Sequence, residues 1–335
     1  MKTKLDKKSV AQILFGAAVF LLAANLVISR FSAEKPVKTH QLNLTGAQID
    51  SIFTESLHSY GIKDTWIKDT GKRKKKVFAS YKVLIPEDLS IPVVLTELFS
   101  NYSDFNVKLI SAELETNGKS VFSVLVNDKP KLKSVFVYND TIKRTGGNFS
   151  FVVDEFELND KEDSLFLKYP EPYVVLLNAS KYSENLVKPL IKANRSFAVL
   201  LDDDIPELKY RLRESYSKKR LLASVSALIK SFAKASFFII DDNSDVYNSS
   251  AGEIVRKVFN RRGINLLRKN DFRLLSESEN ELIKMFDRSL TNLNTGKGKV
   301  FIVSESDFNL LLPEIRRFRK TGYKFLHPTE IKLKD

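Results

Sequence analysis

Acidic residues recur just after short apolar runs in the second half of the chain. "FAVLLDDD" (197–204) ends in three aspartates, and acids also follow the apolar runs at 149–153, 237–240 and 300–303. The residues concerned are Asp154, Glu155, Asp202, Asp203, Asp204, Asp241, Asp242, Asp271 and Glu305. Carboxylates that lie close together raise one another's pKa or recruit a cation. Their positions therefore predict an acidic pocket that binds a cation, an amine or sugar hydroxyls.

A structural role is the alternative for the same acids. The first backbone N–H groups of a helix have no partner within the helix, and an acidic side chain can cap them. Asp241, Asp242 and Asn243 precede a helical pattern and fit this alternative well. Both interpretations stay open at the level of the sequence.

The elements that would position these acids follow the "RTGG" turn at 144–147. Short apolar segments alternate there with helical patterns, which is typical of a parallel sheet built from repeated β-α units. The predicted strands are 149–154, 173–177, 197–201, 237–240, 264–267, 300–303 and 323–326. Seven such strands favour an incomplete (β/α) barrel over residues 147–335, with a ligand site at the carboxyl ends of the strands.

The preceding part of the chain predicts a different unit. Residues 46–142 have the pattern of a small α+β domain in the order α-β-β-α-β-β-β, and residues 30–45 that of a tether. Between the first two strands lies a basic run made of Lys72, Arg73, Lys74, Lys75 and Lys76. A solvated hairpin tip is the favoured interpretation of this run. The alternative is a contact with phospholipid headgroups or anionic wall polymers.

The N-terminus predicts where the protein resides. Residues 9–29 carry no charged side chain and have about the length of one membrane-spanning helix. Lysines in the tail 1–8 keep that tail in the cytoplasm, so the rest of the chain is exported. A cleaved signal peptide is the alternative, but residues 23–25 form a poor cleavage site and an uncleaved anchor is favoured. We expect a single-pass protein of a bacterial cell membrane, with its bulk on the periplasmic or extracellular side.

Charge and composition limit the partners and the chemistry. The formal net charge of +13 suggests anionic partners, and export excludes nucleic acid from the expected ones. The lipid bilayer, through the anchor, and an envelope glycan or protein remain. The chain has no cysteine, which excludes disulfides, thiolate metal sites and cysteine nucleophiles.

Local patterns in the second unit occur in a recognisable order. "FSFVVDEFELND" opens it at 149–160, a strand leads into "KYSENLV" at 181–187, and "FFIIDD" at 237–242 precedes a helix and "RKNDF" at 268–272. In this order the chain resembles the divergent polysaccharide deacetylases, relatives of the carbohydrate esterases with a distorted (β/α)₇ barrel. Residues 59–140 are also similar to the domain that often precedes that barrel. The resemblance implies a divalent metal held by Asp and His, which activates a water for attack on an acetamide carbonyl.

The sequence departs from the family at the metal ligands. Asp154 and Glu155 stand where the family has two aspartates, while Leu200, Arg211 and Glu305 stand near the positions of its histidines. No histidine occurs from residue 59 through residue 326. His327 follows the last predicted strand and could reach the top of the barrel. The residues expected at the rim of the cleft are Asp202, Asp203, Asp204, Arg211, Asp241, Asp271, Glu305 and His327.

Three functions are compatible with these observations. The leading hypothesis is a membrane-anchored, catalytically degenerate relative of the deacetylases that binds an envelope glycan or protein and needs no cofactor. The second is an active metal-dependent carbohydrate deacetylase or hydrolase. It would use Asp154 and Glu155 as catalytic residues and hold a zinc-like ion with Asp154, Glu155 and His327. The third is a structural envelope scaffold whose cleft is plugged by side chains.

Overall fold

The computed structural model describes residues 44–71, 78–115, 118–144, 146–156, 158, 166–275, 278–293 and 296–332. Within these ranges no helix combines the length and the apolar character needed to cross a bilayer. The predicted anchor (9–29) and the basic run (72–76) both lie outside the described residues.

The first unit is a five-stranded sheet with two helices. Its elements, in chain order, are α1 (Gly46–His58), β1 (Ile67–Asp69), β2 (Ala79–Pro86), α2 (Ile91–Tyr102), β3 (Lys108–Glu115), β4 (Lys119–Val126) and β5 (Lys129–Asn139). This is the α-β-β-α-β-β-β order expected from the sequence. The strands lie in the order β1-β2-β5-β4-β3, and only the β2–β5 pair is parallel. One hydrophobic cluster, which includes Phe53, Leu98 and Phe122, joins the helices to the sheet.

The second unit alternates strands and helices, as the sequence predicts. Its strands are β6 (Asn148–Asp154), β7 (Val174–Asn178), β8 (Ser196–Leu201), β9 (Phe237–Ile240), β10 (Leu266–Arg268), β11 (Arg273–Leu274), β12 (Gly298–Ser304) and β13 (Lys324–Phe325). Its helices are α3 (Lys181–Lys192), α4 (Lys218–Ser231), α5 (Ser250–Arg261), α6 (Glu279–Thr291) and α7 (Glu305–Thr321). The fold of the chain is therefore mixed α/β.

The large sheet is parallel and curled. Its strands lie in the order β10-β9-β8-β7-β6-β12-β11, and each neighbouring pair is parallel. The two edge strands, β10 and β11, are separated along the chain by residues 269–272 alone, so the edges lie within about 18 Å of each other. Phe272 in this connection is buried and stacks on Phe237 of β9, with ring centroids 6.1 Å apart. The sheet must therefore bend round on itself.

The expectation of seven strands needs correction. The described residues form eight strands in this sheet, because Arg273 and Leu274 form an additional short strand by pairing with Phe301 and Ile302 of β12. β13 is not part of this strand order and pairs with the first residues of β6. β7 pairs with β6 closer to its carboxyl end, at Val152 and Val153. Of the predicted barrel, the structure thus shows a curled parallel sheet.

β6 is held firmly by the elements that pack against it. All seven of its residues are in register with β12. Phe149 and Phe151 are fully buried on its outward face, where their rings meet those of Phe286 in α6 and Phe325 in β13. This packing holds the carboxyl end of β6, and with it Asp154, in a fixed position.

The two units meet at a buried arginine. The Arg144 side chain is 9% exposed and forms an ion pair with Asp88 in the turn before α2. Its guanidinium also donates to the carbonyl oxygen of Tyr60, after α1, and to that of Lys320, in α7. Lys320 in turn forms an ion pair of 2.7 Å with Glu97 of α2. Arg144 therefore ties both helices of the first unit to the last helix of the second.

Candidate functional site at the mouth of the curled sheet

Alternate strand residues fill the inside of the curled sheet with apolar side chains. Val152, Leu176, Leu200, Ile239 and Ile302 belong to this inner cluster. Their neighbours along the strands, such as Val153 and Leu177, belong to the outer cluster under the helices. Side chains alternate between the two faces of a strand, so the residue two positions after each of these inner residues also points inward.

The next inward positions are all polar. They are Asp154 after Val152, Asn178 after Leu176, Asp202 after Leu200, Asp241 after Ile239, Lys269 after Leu267 and Ser304 after Ile302. The parallel strands end at the same edge of the sheet, so these side chains form a polar layer above the apolar filling. We call this layer the mouth. Ligand sites of parallel α/β sheets lie at this edge.

Among the described residues of the polar layer, Lys269 is the one cation, and it forms an ion pair with Asp241. Its Nζ lies 2.9 Å from Oδ2 of Asp241. Burial alone would raise the pKa of Asp241, but the Lys269 ammonium and the N–H of Asn243 together lower it. Burial raises the pKa values of Asp154 and Asp202, and the same positive charge opposes that rise. Lys269 is thus the counter-charge of three of the predicted acids.

Ionisation of Asp154 and Asp202 is nonetheless unfavourable in the folded protein. Burial is the main cause that raises the pKa of each, and it outweighs the effect of Lys269. Asp154 Oδ1 accepts the N–H of Glu155 at 2.8 Å. Glu155 has a left-handed backbone with φ of 57°, which costs a residue with a side chain on the order of 1 kcal/mol. Strain of this kind clusters at functional sites.

We predict that Asp154→Asn stabilises the protein at pH 7, by on the order of 1 kcal/mol. Because the pKa of Asp154 is raised on folding, its ionisation opposes the fold above that pKa and the cost disappears as the pH falls below the pKa of the unfolded chain. The gain should therefore vanish near pH 3. Thermal unfolding at both pH values measures it. Equal melting temperatures of variant and parent at pH 7 would contradict the assigned burial cost.

The other acids of the mouth brace its loops. The Asp202 carboxylate accepts a hydrogen bond from the backbone N–H of Asp204. In the same way, Asp203 accepts from the N–H of Asp245, and Asp242 accepts from the N–H of Asn270. The helix-capping alternative for Asp241 is wrong. Its Oδ1 accepts the N–H of Asn243 in a turn, and the next helix begins only at Ser250. Asp203 and Asp204 are exposed on the rim.

Two further predicted residues support the mouth from outside it. Arg211 donates to the carbonyl oxygens of Ile205 and Pro206, which line the cleft, and so fixes that wall. Asp271 forms an ion pair of 2.6 Å with Arg268 and accepts its backbone N–H. This bond closes the single turn that carries Lys269. Glu305 begins α7 directly after Ser304 and is half-buried.

A cleft of about 320 Å³ opens beside Asp154 and Asp202. Its polar lining consists of Asp154, Glu155, Asn178, Ser180, Tyr182, Ser183, Asp202 and Asp204. Tyr182 is 49% exposed and presents an aromatic ring on the cleft wall. The structure therefore brings Asp154, Glu155, Asp202 and Asp204 together around one open space. This part of the chain therefore forms an open cleft and not the plugged cleft expected for a pure scaffold.

His327 does not belong to this site. β13 pairs with Asn148 and Phe149, at the opposite end of β6 from Asp154. Even if the strand continued, His327 would lie level with Phe151, about 10 Å below Asp154. The chain instead turns away, and Nδ1 of His327 bonds the Thr329 hydroxyl at 2.7 Å. The expectation that His327 reaches the top of the barrel is wrong, because β13 is only two residues long.

The described residues do not fit the zinc-like ion that the family resemblance implies. Among them no three His, Cys, Asp or Glu side chains come together in a way that could hold a metal ion. The set of Asp154, Glu155 and His327 is not assembled, and the positive charge that acts on Asp154 and Asp202 is the ammonium of Lys269. Catalytic zinc sites have three protein ligands, most of them histidines.

Lys269, Asn178 and Tyr182 are the residues of the site that the sequence analysis missed. Lys269 continues the alternation set by Leu267, which is the signal that could have identified it. Its partner Asp241 is 28 residues away, and no local pattern links the two.

Comparisons with known proteins leave the family open. No family model matches the sequence, and no curated protein matches it either. Among solved structures, an uncharacterized protein from Agrobacterium tumefaciens C58 is 12% identical with a TM-score of 0.35, covering 54% of this chain and 87% of its own. A mutant described as a CE4 family pseudoenzyme with restored enzymatic activity is 10% identical with a TM-score of 0.37, covering 71% of this chain and 97% of its own. TM-scores of this size do not establish a shared fold.

Proposed function

We propose that this protein is a catalytically degenerate, deacetylase-like module that binds an envelope glycan at the mouth of its curled sheet. The observation that supports this most strongly is the place of Lys269. Its ammonium pairs with Asp241 and acts on Asp154 and Asp202, where a metal-dependent enzyme of this architecture would use a metal ion. The positive charge that these acids need is supplied by the chain itself.

The lining of the cleft suits a sugar. The carboxylates can accept hydrogen bonds from hydroxyls, and the Asn178 amide can both accept them and donate them. The exposed ring of Tyr182 offers an apolar face for a pyranose. We further propose that residues 9–29 anchor the chain in the bacterial membrane and that the module acts on the exported side, where such glycans are found.

Glycan binding is tested by calorimetry with the full chain in detergent. Oligomers of N-acetylated hexosamine and their de-N-acetylated forms are titrated in the presence of a chelator. The proposal expects saturable binding of at least one of the two without added metal. No binding of either, or binding that requires a metal, would exclude this function.

We predict that Tyr182→Ala weakens this binding about 10-fold, because an aromatic ring stacked on a ligand contributes roughly 1 kcal/mol or somewhat more. Tyr182→Phe is the matched control, since it keeps the ring and should keep most of the affinity. Equal affinities of the Ala variant and the parent would show that the sugar does not lie against this wall of the cleft.

A further inference from the structure

The sheet of the first unit has one face that no described helix covers. The helices pack on the other face, where Val83, Phe122, Val124, Leu132 and Phe136 are buried. Since side chains alternate, the residues between these point to the open face. One row across it consists of Lys68, Lys82, Val135, Val121 and Ala112, and the next contains Lys133, Ser123 and Ile110.

Three lysines of the open face are exposed and unneutralised. Lys68, Lys82 and Lys133 form no ion pair with any described residue, and neither row contains an acid. Lys68 lies directly opposite Lys82 across the β1–β2 pair. Like charges in that position destabilise a sheet. The face therefore carries a positive field that a negatively charged partner would relieve.

The other half of the same face is apolar. Ile110 is 45% exposed on β3, the edge strand. Val121 and Val135 connect this edge to the lysines. Basic side chains beside exposed aliphatic ones match the boundary of a bilayer, where lysines meet headgroup phosphates and apolar side chains enter the acyl region.

We propose that the open face of the first unit docks on an anionic phospholipid surface. Lys68, Lys82 and Lys133 contact the headgroups, and Ile110 enters the interface. The charges of the face support this docking directly, and the docking rests on the proposed anchor only for proximity. Residues 30–43 would place the first unit within about 50 Å of the bilayer.

The absence of cysteine allows a site-specific test. Ser123→Cys places one thiol on the open face, and Ser51→Cys places one on exposed α1, which packs on the opposite face. Each full-length variant is reconstituted in vesicles of phosphatidylcholine, with or without one third phosphatidylglycerol. The rate of alkylation by a water-soluble maleimide is then measured. We expect the thiol at 123 to react at least five-fold more slowly on the anionic vesicles, and the thiol at 51 to show no such change.

Paired charge variants decide whether the open face causes this protection. Lys82→Gln with Lys133→Gln should weaken docking on the order of 30-fold and restore fast alkylation at position 123. Lys192→Gln with Lys219→Gln removes the same charge from exposed helices of the second unit and should leave the protection intact. Equal rates on both kinds of vesicle, or equal effects of the two pairs, would overturn the proposal.

Two other outcomes separate the remaining possibilities. If the chain does not associate with neutral vesicles at all, the anchor fails while the docking surface can still be scored on anionic ones. If soluble poly(glycerol phosphate) protects position 123 and anionic vesicles do not, the partner is a polymer and the lipid proposal is wrong.

Discussion

Arg144→Ala is expected to lower the free energy of unfolding by about 3 kcal/mol, the size typical of removing one partner of a buried charge network. The guanidinium is 9% exposed and connects Asp88 with the carbonyl oxygens of Tyr60 and Lys320. Its removal leaves these acceptors without the donor that joins them across the junction of the two units. Urea denaturation measures the loss.

The same variant should also uncouple the two units. Trp66 is the only tryptophan of the chain and lies buried in the first unit, so its fluorescence reports that unit, while far-ultraviolet circular dichroism reports both. We expect the two transitions to coincide in the parent and to separate in Arg144→Ala.

Arg317→Ala is the matched control, because Arg317 also forms ion pairs, with Asp287 and Glu314, but is 51% exposed. It should cost no more than about 1 kcal/mol. If Arg144→Ala costs no more than this control and its transitions still coincide, the junction does not depend on the arginine.

Lys269→Met is expected to lower the free energy of unfolding by about 1–2 kcal/mol at pH 7, less than a fully buried pair because its side chain is 36% exposed. Asp241 loses its partner, and the pKa values of Asp154 and Asp202 rise further without the nearby ammonium. The pKa of Asp241 is lowered on folding, so its stabilising effect is present above the pKa of the unfolded chain and is lost as the pH falls through the folded value. The difference from the parent should therefore begin to shrink near pH 4 and disappear once the pH is below the folded pKa of Asp241.

Two variants show whether this effect belongs to the charge at the mouth. Lys269→Arg keeps a cation at the position and should retain most of the stability at pH 7. Lys284→Met removes a lysine from a more exposed ion pair with Glu281 and should change stability by less than about 0.5 kcal/mol. An effect of Lys269→Met that is the same at pH 7 and pH 3 would show that the loss is one of packing.

Much of the fold can be predicted from the sequence, because strands buried on both faces are continuous apolar runs. "FSFVV" and "FAVLL" give β6 and β8 directly, and the helices between them have clear periodicity. β11 could not be predicted. Its two residues, Arg273 and Leu274, are exposed and form a strand only because β12 lies beside them.

The candidate site could be predicted from the sequence only in part. The acids at strand ends can be placed at one edge from topology, and Asp154, Glu155, Asp202 and Asp204 do line one cleft. Which cation they face could not be predicted, since the Asp241–Lys269 pair joins segments that no local pattern connects. The placement of His327 failed for a similar reason, because the sequence does not reveal how far β13 extends along β6.

The most direct test of the central claim is a joint measurement of metal content and acetate release. The full chain is purified, equilibrated with zinc and dialysed, then incubated with N-acetylated hexosamine oligomers beside the Asp154→Asn variant. If Lys269 supplies the cation of the mouth, bound metal stays well below one ion per chain and acetate release equals that of the variant. One metal ion per chain together with acetate release that Asp154→Asn abolishes would contradict the account and identify an active metal-dependent deacetylase.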